Sequence, residues 1–210
     1  MKVFKRLLVF LLVLAIVIFI GIYFLVFFLV RDNHKPYMGY IEKYSQENKL
    51  DEKLITALVK TESSFNPNAH SKADARGLMQ LVPETGKWVA SQLDEEFKEE
   101  NLKDPETNIR YGTYYFKHLL NQFKSVDYAI IAYNAGPTNV KKWIDGGILT
   151  GSYEDYENIP IQEAKDYIQK VKKQYNLNKK IYNIYYKNPD DSRFVKAFKV
   201  LGFLVSDIFN

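Results

Sequence analysis

From Leu7 to Val30 the chain runs 24 positions without a charged side chain, and beyond it apolar residues recur at helical spacing almost to the end. At 1.5 Å per residue the first run makes roughly 36 Å of helix, enough to cross a hydrocarbon core of about 30 Å with some tilt. The apolar core of a cleaved signal is normally about 7–15 residues and ends at a small-residue site. This run is longer, and no Ala-x-Ala pattern follows it before Arg31, Asp32 and Asn33. A retained transmembrane helix is therefore expected over 7–30, behind a cytoplasmic tail of residues 1–6.

The rest of the pattern predicts a mainly α domain. Tyr40, Ile41 and Tyr44 share one face of a helix over Tyr37–Asn48, and Asp51 is placed to cap a second helix ending near Glu62 or Ser63. Pro83 suits the first turn of a helix that runs through Trp88 and Val89 to Leu93. Asp104-Pro105 starts a long helix with Ile109, Tyr111, Tyr115, Phe116 and Leu119 on its buried face. Val126–Tyr133 reads as a short helix, Gly136-Pro137 as a break, and the segment with Val140 and Trp143 as another helix. Tyr153–Ile159 reads as loop, and Pro160 as the opening of a long helix toward Tyr186. Phe194, Phe198, Leu201, Val205 and Ile208 form one apolar stripe. Residues 188–210 are therefore expected to form an amphipathic helix, packed on the domain, lying at the membrane interface, or holding a protein partner. The helical domain is expected over 31–187.

Charge refines this picture in two ways. The chain holds 29 Lys+Arg against 25 Asp+Glu, and without Lys2, Lys5 and Arg6 the balance is 26 against 25. Those three basic residues before the apolar run place the N-terminus in the cytoplasm, leaving a single-pass protein with its domain outside. The near-neutral remainder speaks against nucleic-acid binding, which needs a clustered basic excess. Cysteine is absent, which excludes disulfide staples and a lipid-modified bacterial N-terminus.

The candidate chemistry centres on Glu62. It closes the apolar run Leu54, Ile55, Ala57, Leu58, Val59 and precedes Ser63, Ser64 and Phe65. A carboxyl at the end of a buried helix holds its proton at neutral pH and suits a general acid. Glycosidic cleavage needs such an acid and something to stabilise the sugar carbon. No second carboxylate stands beside Glu62 in sequence, and Asp74 and Glu84 read as exposed. An N-acetyl sugar can supply its own acetamido oxygen instead. His34, His70 and His118 are scattered without metal-ligand spacing, and neither a phosphate loop nor a nucleophile elbow occurs.

Four ordered motifs then carry a resemblance. They are Glu62-Ser63-Ser64-Phe65-Asn66-Pro67 with Ala69 and Ser71; Gly77-Leu78-Met79-Gln80-Leu81 with Pro83-Glu84-Thr85; Ala132-Tyr133-Asn134-Ala135-Gly136-Pro137; and Ile159-Pro160 with Glu163 and Tyr167. Asp104-Pro105, Asn108-Ile109, Gly112 and Tyr115 fill the interval. Over about 37–187 the chain resembles the soluble-lytic-transglycosylase (SLT) catalytic family. The resemblance implies a goose-lysozyme-like helical fold that cleaves the β-1,4 bond between N-acetylmuramic acid and N-acetylglucosamine in bacterial peptidoglycan and leaves 1,6-anhydro ends. It implies Glu62 as the single acid/base, without metal or cofactor. It also implies that Gln80, Tyr133, Asn134, Glu163 and Tyr167 line the substrate groove, with Ser63 beside Glu62 and orienting it by a hydrogen bond.

The sequence departs from the family pattern at Val82, where a second Met is frequent, and at Asp74, where Gly is common. Asp tolerates left-handed backbone better than most residues. The late motif reads Ile161 after Pro160 and Ala164 after Glu163. The alternatives are a lysozyme-type hydrolase on the same fold, or a glycan-binding scaffold of a cell-wall or secretion assembly.

Overall fold

The computed structural model describes residues 2–29, 33–152, 155–188 and 190–208. Nine α-helices account for most of them: α1 Lys2–Leu29, α2 Met38–Glu47, α3 Glu52–Ser63, α4 Pro83–Gln92, α5 Pro105–Phe123, α6 Val126–Ala135, α7 Pro137–Asp145, α8 Gln162–Tyr185 and α9 Arg193–Ile208. Among the described residues the only β pairings are isolated bridges, His70 with Arg76 and Arg76 with Leu81. The chain divides into two compact units, Pro36–Lys180 and Met1–Lys35 with Ile181–Asn210.

In the larger unit, local chemistry starts the helices where the pattern predicts. The Asp51 carboxylate accepts from Lys53 N at 2.8 Å and Asp104 from Thr107 N at 2.8 Å, each satisfying a backbone donor that the first helical turn leaves unpaired. Ser125 caps α6 through Tyr128 N. Pro83, Pro105 and Pro137 open α4, α5 and α7, where the missing N–H costs nothing. α8 starts two residues after Pro160, with the Ile161 carbonyl accepting from Lys165 N at 3.2 Å. The segment expected as loop contains a 3₁₀ turn over Asp155–Asn158, held by the Asp155 carboxylate, which accepts from Tyr128, Thr150 and Gly151. Tyr153 and Glu154 lie outside the described residues.

The core forms around α3 and α5. Six consecutive residues of α3, Leu54 to Val59, are buried, so this helix is enclosed on every side rather than along one stripe. Ile109, Phe116 and Leu119 of α5 are fully buried, as are Ile41 of α2, Val140 of α7 and Val171 of α8. A second cluster joins Leu81, Val89, Ala90, Leu102 and Tyr111 beneath α4.

The smaller unit contains α1 and α9. Lys2–Phe27 has a mean hydropathy of 3.2 and is long and apolar enough to cross a membrane. Val30, Arg31 and Asp32, on which the end of the expected span and part of its charge asymmetry fall, lie outside the described residues. Val26 of α1 packs with Ala197, Val200 and Leu201 of α9. The expected apolar stripe of α9 holds Phe194, Phe198, Leu201 and Val205 in one helix; the Ile208 side chain is not among those described.

Candidate active site

α3 presents Glu62 on its last turn, and an unusual backbone ends the helix there. Ser64 and Phe65 follow at φ of 51° and 63°, two consecutive left-handed residues neither of which is glycine. Such a pair is held in place by its surroundings: Phe65 is 2% exposed, so burying its ring compensates the backbone cost. The chain is thereby turned sharply away from α3, leaving the half-buried Glu62 carboxyl at the helix end.

The loop from Asn66 to Val82 folds over this end and is fastened to α5 by one side chain. Asn108, fully buried, accepts from Met79 N at 2.7 Å and donates to the carbonyls of Arg76 at 2.9 Å and Leu102 at 2.7 Å. Gly77, at φ 76°, sits so close to that amide that a Cβ would stand 2.4 Å from Asn108 Nδ2. Asp74 occupies left-handed backbone at φ 62°, as its replacement of a glycine requires, and its carboxylate accepts from Arg76 and pairs with His70. That places Asp74 in loop bracing.

The carboxyl of Glu62 meets α8. Tyr167, 7% exposed, donates its phenolic proton to Glu62 Oε1 at 2.5 Å. Burial pushes the Glu62 pKa up to about 7; the Tyr167 hydrogen bond works against this by favouring the anion, and the nearby negative charge of Glu163 raises it further. Glu163 and Tyr167 are four residues apart on α8 and so share a face. Tyr133 joins the group from α6: burial and then the Glu62 charge raise its pKa, and burial, then Glu62 and Tyr133, raise that of Tyr167. Both phenols therefore remain protonated donors. Tyr133 gives its proton to the Met79 carbonyl at 2.8 Å and lies against Tyr115, with ring centroids 5.6 Å apart.

Three elements thus bring Glu62, Tyr133, Glu163 and Tyr167 together. The other candidates take different positions. Ser63 does not orient the Glu62 carboxyl: its hydroxyl is directed to the Leu78 carbonyl at 2.8 Å, with Val59 O at 3.2 Å, because the turn aims it at the loop. Gln80, at φ 48°, spends its amide donors on the Ala69 and Gly77 carbonyls. Asn134 is half-buried on the last turn of α6. Met79, Leu81 and Ile109 are core residues. Asn108 is the contributor whose role sequence reasoning missed; an Asn inside an apolar helical face was the available signal. A cavity of about 340 Å³ opens at the opposite end of α3, between Asp51, Leu54, Ile130 and Lys172, and none of the candidate residues lines it.

Comparison with known proteins places the chain in a family. Residues 39–148 match the transglycosylase SLT domain. The chain is 37% identical over 167 residues to the membrane-bound lytic murein transglycosylase C of Sodalis glossinidius, covering 66% of this chain and 45% of that protein. Two solved structures superpose on it. An inactive glutamate-to-glutamine mutant of the lytic transglycosylase Slt of Pseudomonas aeruginosa matches at 28% identity and TM-score 0.61, over 69% of this chain and 24% of the other. The 70 kDa soluble lytic transglycosylase of Escherichia coli matches at 27% identity and TM-score 0.62, over 76% and 25%. The chain spans less than half the length of the curated relatives it matches. Tyr167 and Glu163 lie beyond the matched 39–148, so the contact that holds Glu62 comes from α8, outside that segment. By its match over residues 39–148, this chain belongs to the SLT transglycosylase family.

Proposed function

We propose that the protein is a membrane-tethered lytic transglycosylase that cleaves the β-1,4 bond between N-acetylmuramic acid and N-acetylglucosamine in peptidoglycan. One observation carries the reading: a half-buried carboxyl at the mouth of the loop, raised to about 7 and held by a buried phenol. Near neutral pH such a group exists in both forms, as a residue that must give and then take a proton requires.

In the first step Glu62 protonates the bridging oxygen while the muramoyl acetamido oxygen attacks C1. The C1–O bond breaks, the N-acetylglucosamine side leaves with a free hydroxyl, and an oxazolinium remains. In the second step the Glu62 carboxylate takes the proton of the C6 hydroxyl as O6 closes onto C1 and the oxazolinium opens. The product is a 1,6-anhydro end, no water is consumed, and Glu62 regains its proton. The substrate supplies the nucleophile, so Glu163 need only bear on the acid's proton affinity. Tyr133, beside Glu62, and Gln80 and Asn134, further off, are the residues assigned to hold the glycan, and Ser63 supports the loop wall. The Lys2, Lys5 and Arg6 flank orients the span with the N-terminus in the cytoplasm and the domain of residues 31–187 outside.

The test is to incubate the full chain, in detergent, with purified peptidoglycan and to identify released ends by mass spectrometry, with Glu62→Gln in parallel. Anhydro-muramoyl ends that vanish in the variant are expected. Reducing ends instead would make the protein a hydrolase, and equal release by the variant would remove Glu62 from the chemistry.

A further inference from the structure

The helix α9 lies along α1, and the contacts fix the direction in which it runs. At its start, Arg193 Nε donates to the Phe27 carbonyl at 3.0 Å, its guanidinium stands 4.3 Å from the Phe27 ring, and Phe194 stacks on that ring with centroids 4.5 Å apart. Further on, Ala197, Val200 and Leu201 pack on Val26. Further still, Phe198, Leu201, Gly202 and Val205 line an apolar groove of about 190 Å³ whose other wall is Phe19 of α1. α9 is therefore antiparallel to α1, and from Phe27 to Phe19 it descends about 12 Å along the apolar run.

We propose that α9 is a second lipid-immersed segment, returning beside α1 through the half of the bilayer that holds the C-terminal end of α1, with acyl chains covering its outer face. The proposal rests on reading α1 as a membrane span. Three features favour lipid as the occupant. First, α9 leaves large apolar side chains exposed: Phe198 is 62% exposed, Leu204 39% and Val205 40%, beside α1 residues that are themselves apolar and exposed. Second, the basic side chains in its first turns are drawn back toward the start of the helix. Lys199 Nζ reaches Asp191 Oδ2 at 2.7 Å, and Lys196, fully buried, holds its ammonium 5.9 Å from the Tyr185 ring. Long cationic side chains in membrane helices bend toward the surface in this way. Third, Val200 to Val205 is an uninterrupted apolar run. Asp207, the one acidic residue of α9, comes only after it. Val205 lies eleven residues past Phe194, about 16 Å along the helix, roughly half of a 30 Å core. The groove beside Gly202, where a Cβ would meet nothing within 4 Å, is open to an acyl chain.

The absence of cysteine makes the test direct. Full-length Ile16→Cys, Phe194→Cys and Leu204→Cys proteins are each labelled with bimane and reconstituted in phosphatidylethanolamine–phosphatidylglycerol vesicles containing chain-brominated lipid. The label at Leu204, like that at Ile16, should lose the greater part of its emission to bromine and stay insensitive to aqueous iodide. The label at Phe194 should lose less to bromine. With Ile16 quenched by lipid, a Leu204 label that iodide reaches overturns the proposal and leaves the anchor intact. So does one that neither quencher reaches, because another protein surface then covers α9. An Ile16 label that escapes bromine overturns the anchor reading itself, and this proposal with it.

Discussion

Glu62 is poised between opposing influences, and the sign of each follows from which protonation state it favours. Burial and the Glu163 charge penalise the carboxylate, whereas the Tyr167 phenol stabilises it by donating to it. The acid form is needed for bond cleavage, so activity should decline as pH rises past about 7. Removing the phenolic donor in Tyr167→Phe withdraws a stabiliser of the anion, so the Glu62 pKa rises and the alkaline limb of the pH–rate profile moves to higher pH. The rate at the optimum should also fall, by roughly 10-fold to 100-fold, because the carboxyl is no longer aimed. The profile of peptidoglycan solubilisation by the two proteins checks this. A limb that stays in place, or moves toward acid, would reduce Tyr167 to a packing residue.

At the level of elements, the site depends on how α3, α5 and the loop between Phe65 and Val82 are joined. Asn108 binds three backbone groups of that loop and its neighbour, and Met79 then fits against Gly112, where a Cβ would stand 2.4 Å from Met79 Sδ. Close approach, rather than an unusual φ, is what requires glycine at 112. Asn108→Ala leaves a buried N–H and two carbonyls without their partner and should cost about 2–4 kcal/mol. Denaturant titration against the parent measures it. A change below about 0.5 kcal/mol, the scale of a surface substitution, would mean that the loop holds itself. The motif positions Asn108 and Gly112 were legible in the sequence as part of an ordered pattern. Their work was not, because most of it consists of contacts between residues about thirty positions apart.

For the whole molecule the decisive property is the apolar α1. Lys2–Phe27, with a mean hydropathy of 3.2, is long and apolar enough to cross a membrane, and a spanning helix leaves the membrane only when lipid is dissolved. Alkaline carbonate washing of membranes should therefore leave the full chain in the pellet and detergent should release it, as followed by immunoblotting of the two fractions. Release by carbonate alone would show a peripheral attachment and remove the span. With no cysteine, no disulfide contributes to holding the fold.

The sequence by itself determined whatever depends on neighbours along the chain. Run length and polarity marked α1; Asp51, Asp104 and three prolines marked helix starts; spacing marked the buried faces; and the order of the motifs marked the family and the candidate acid. Only the tertiary structure decided what meets across the chain. Tyr167 reaches Glu62 over 105 residues, Ser63 turns to the Leu78 carbonyl and away from the acid, and α9 lies against α1. The reason is physical: helix formation is decided within a few residues by capping, propensity and period. A side chain's hydrogen-bond partner is set by how whole elements pack, and a turn of two left-handed residues, as at Ser64 and Phe65, is enough to redirect it.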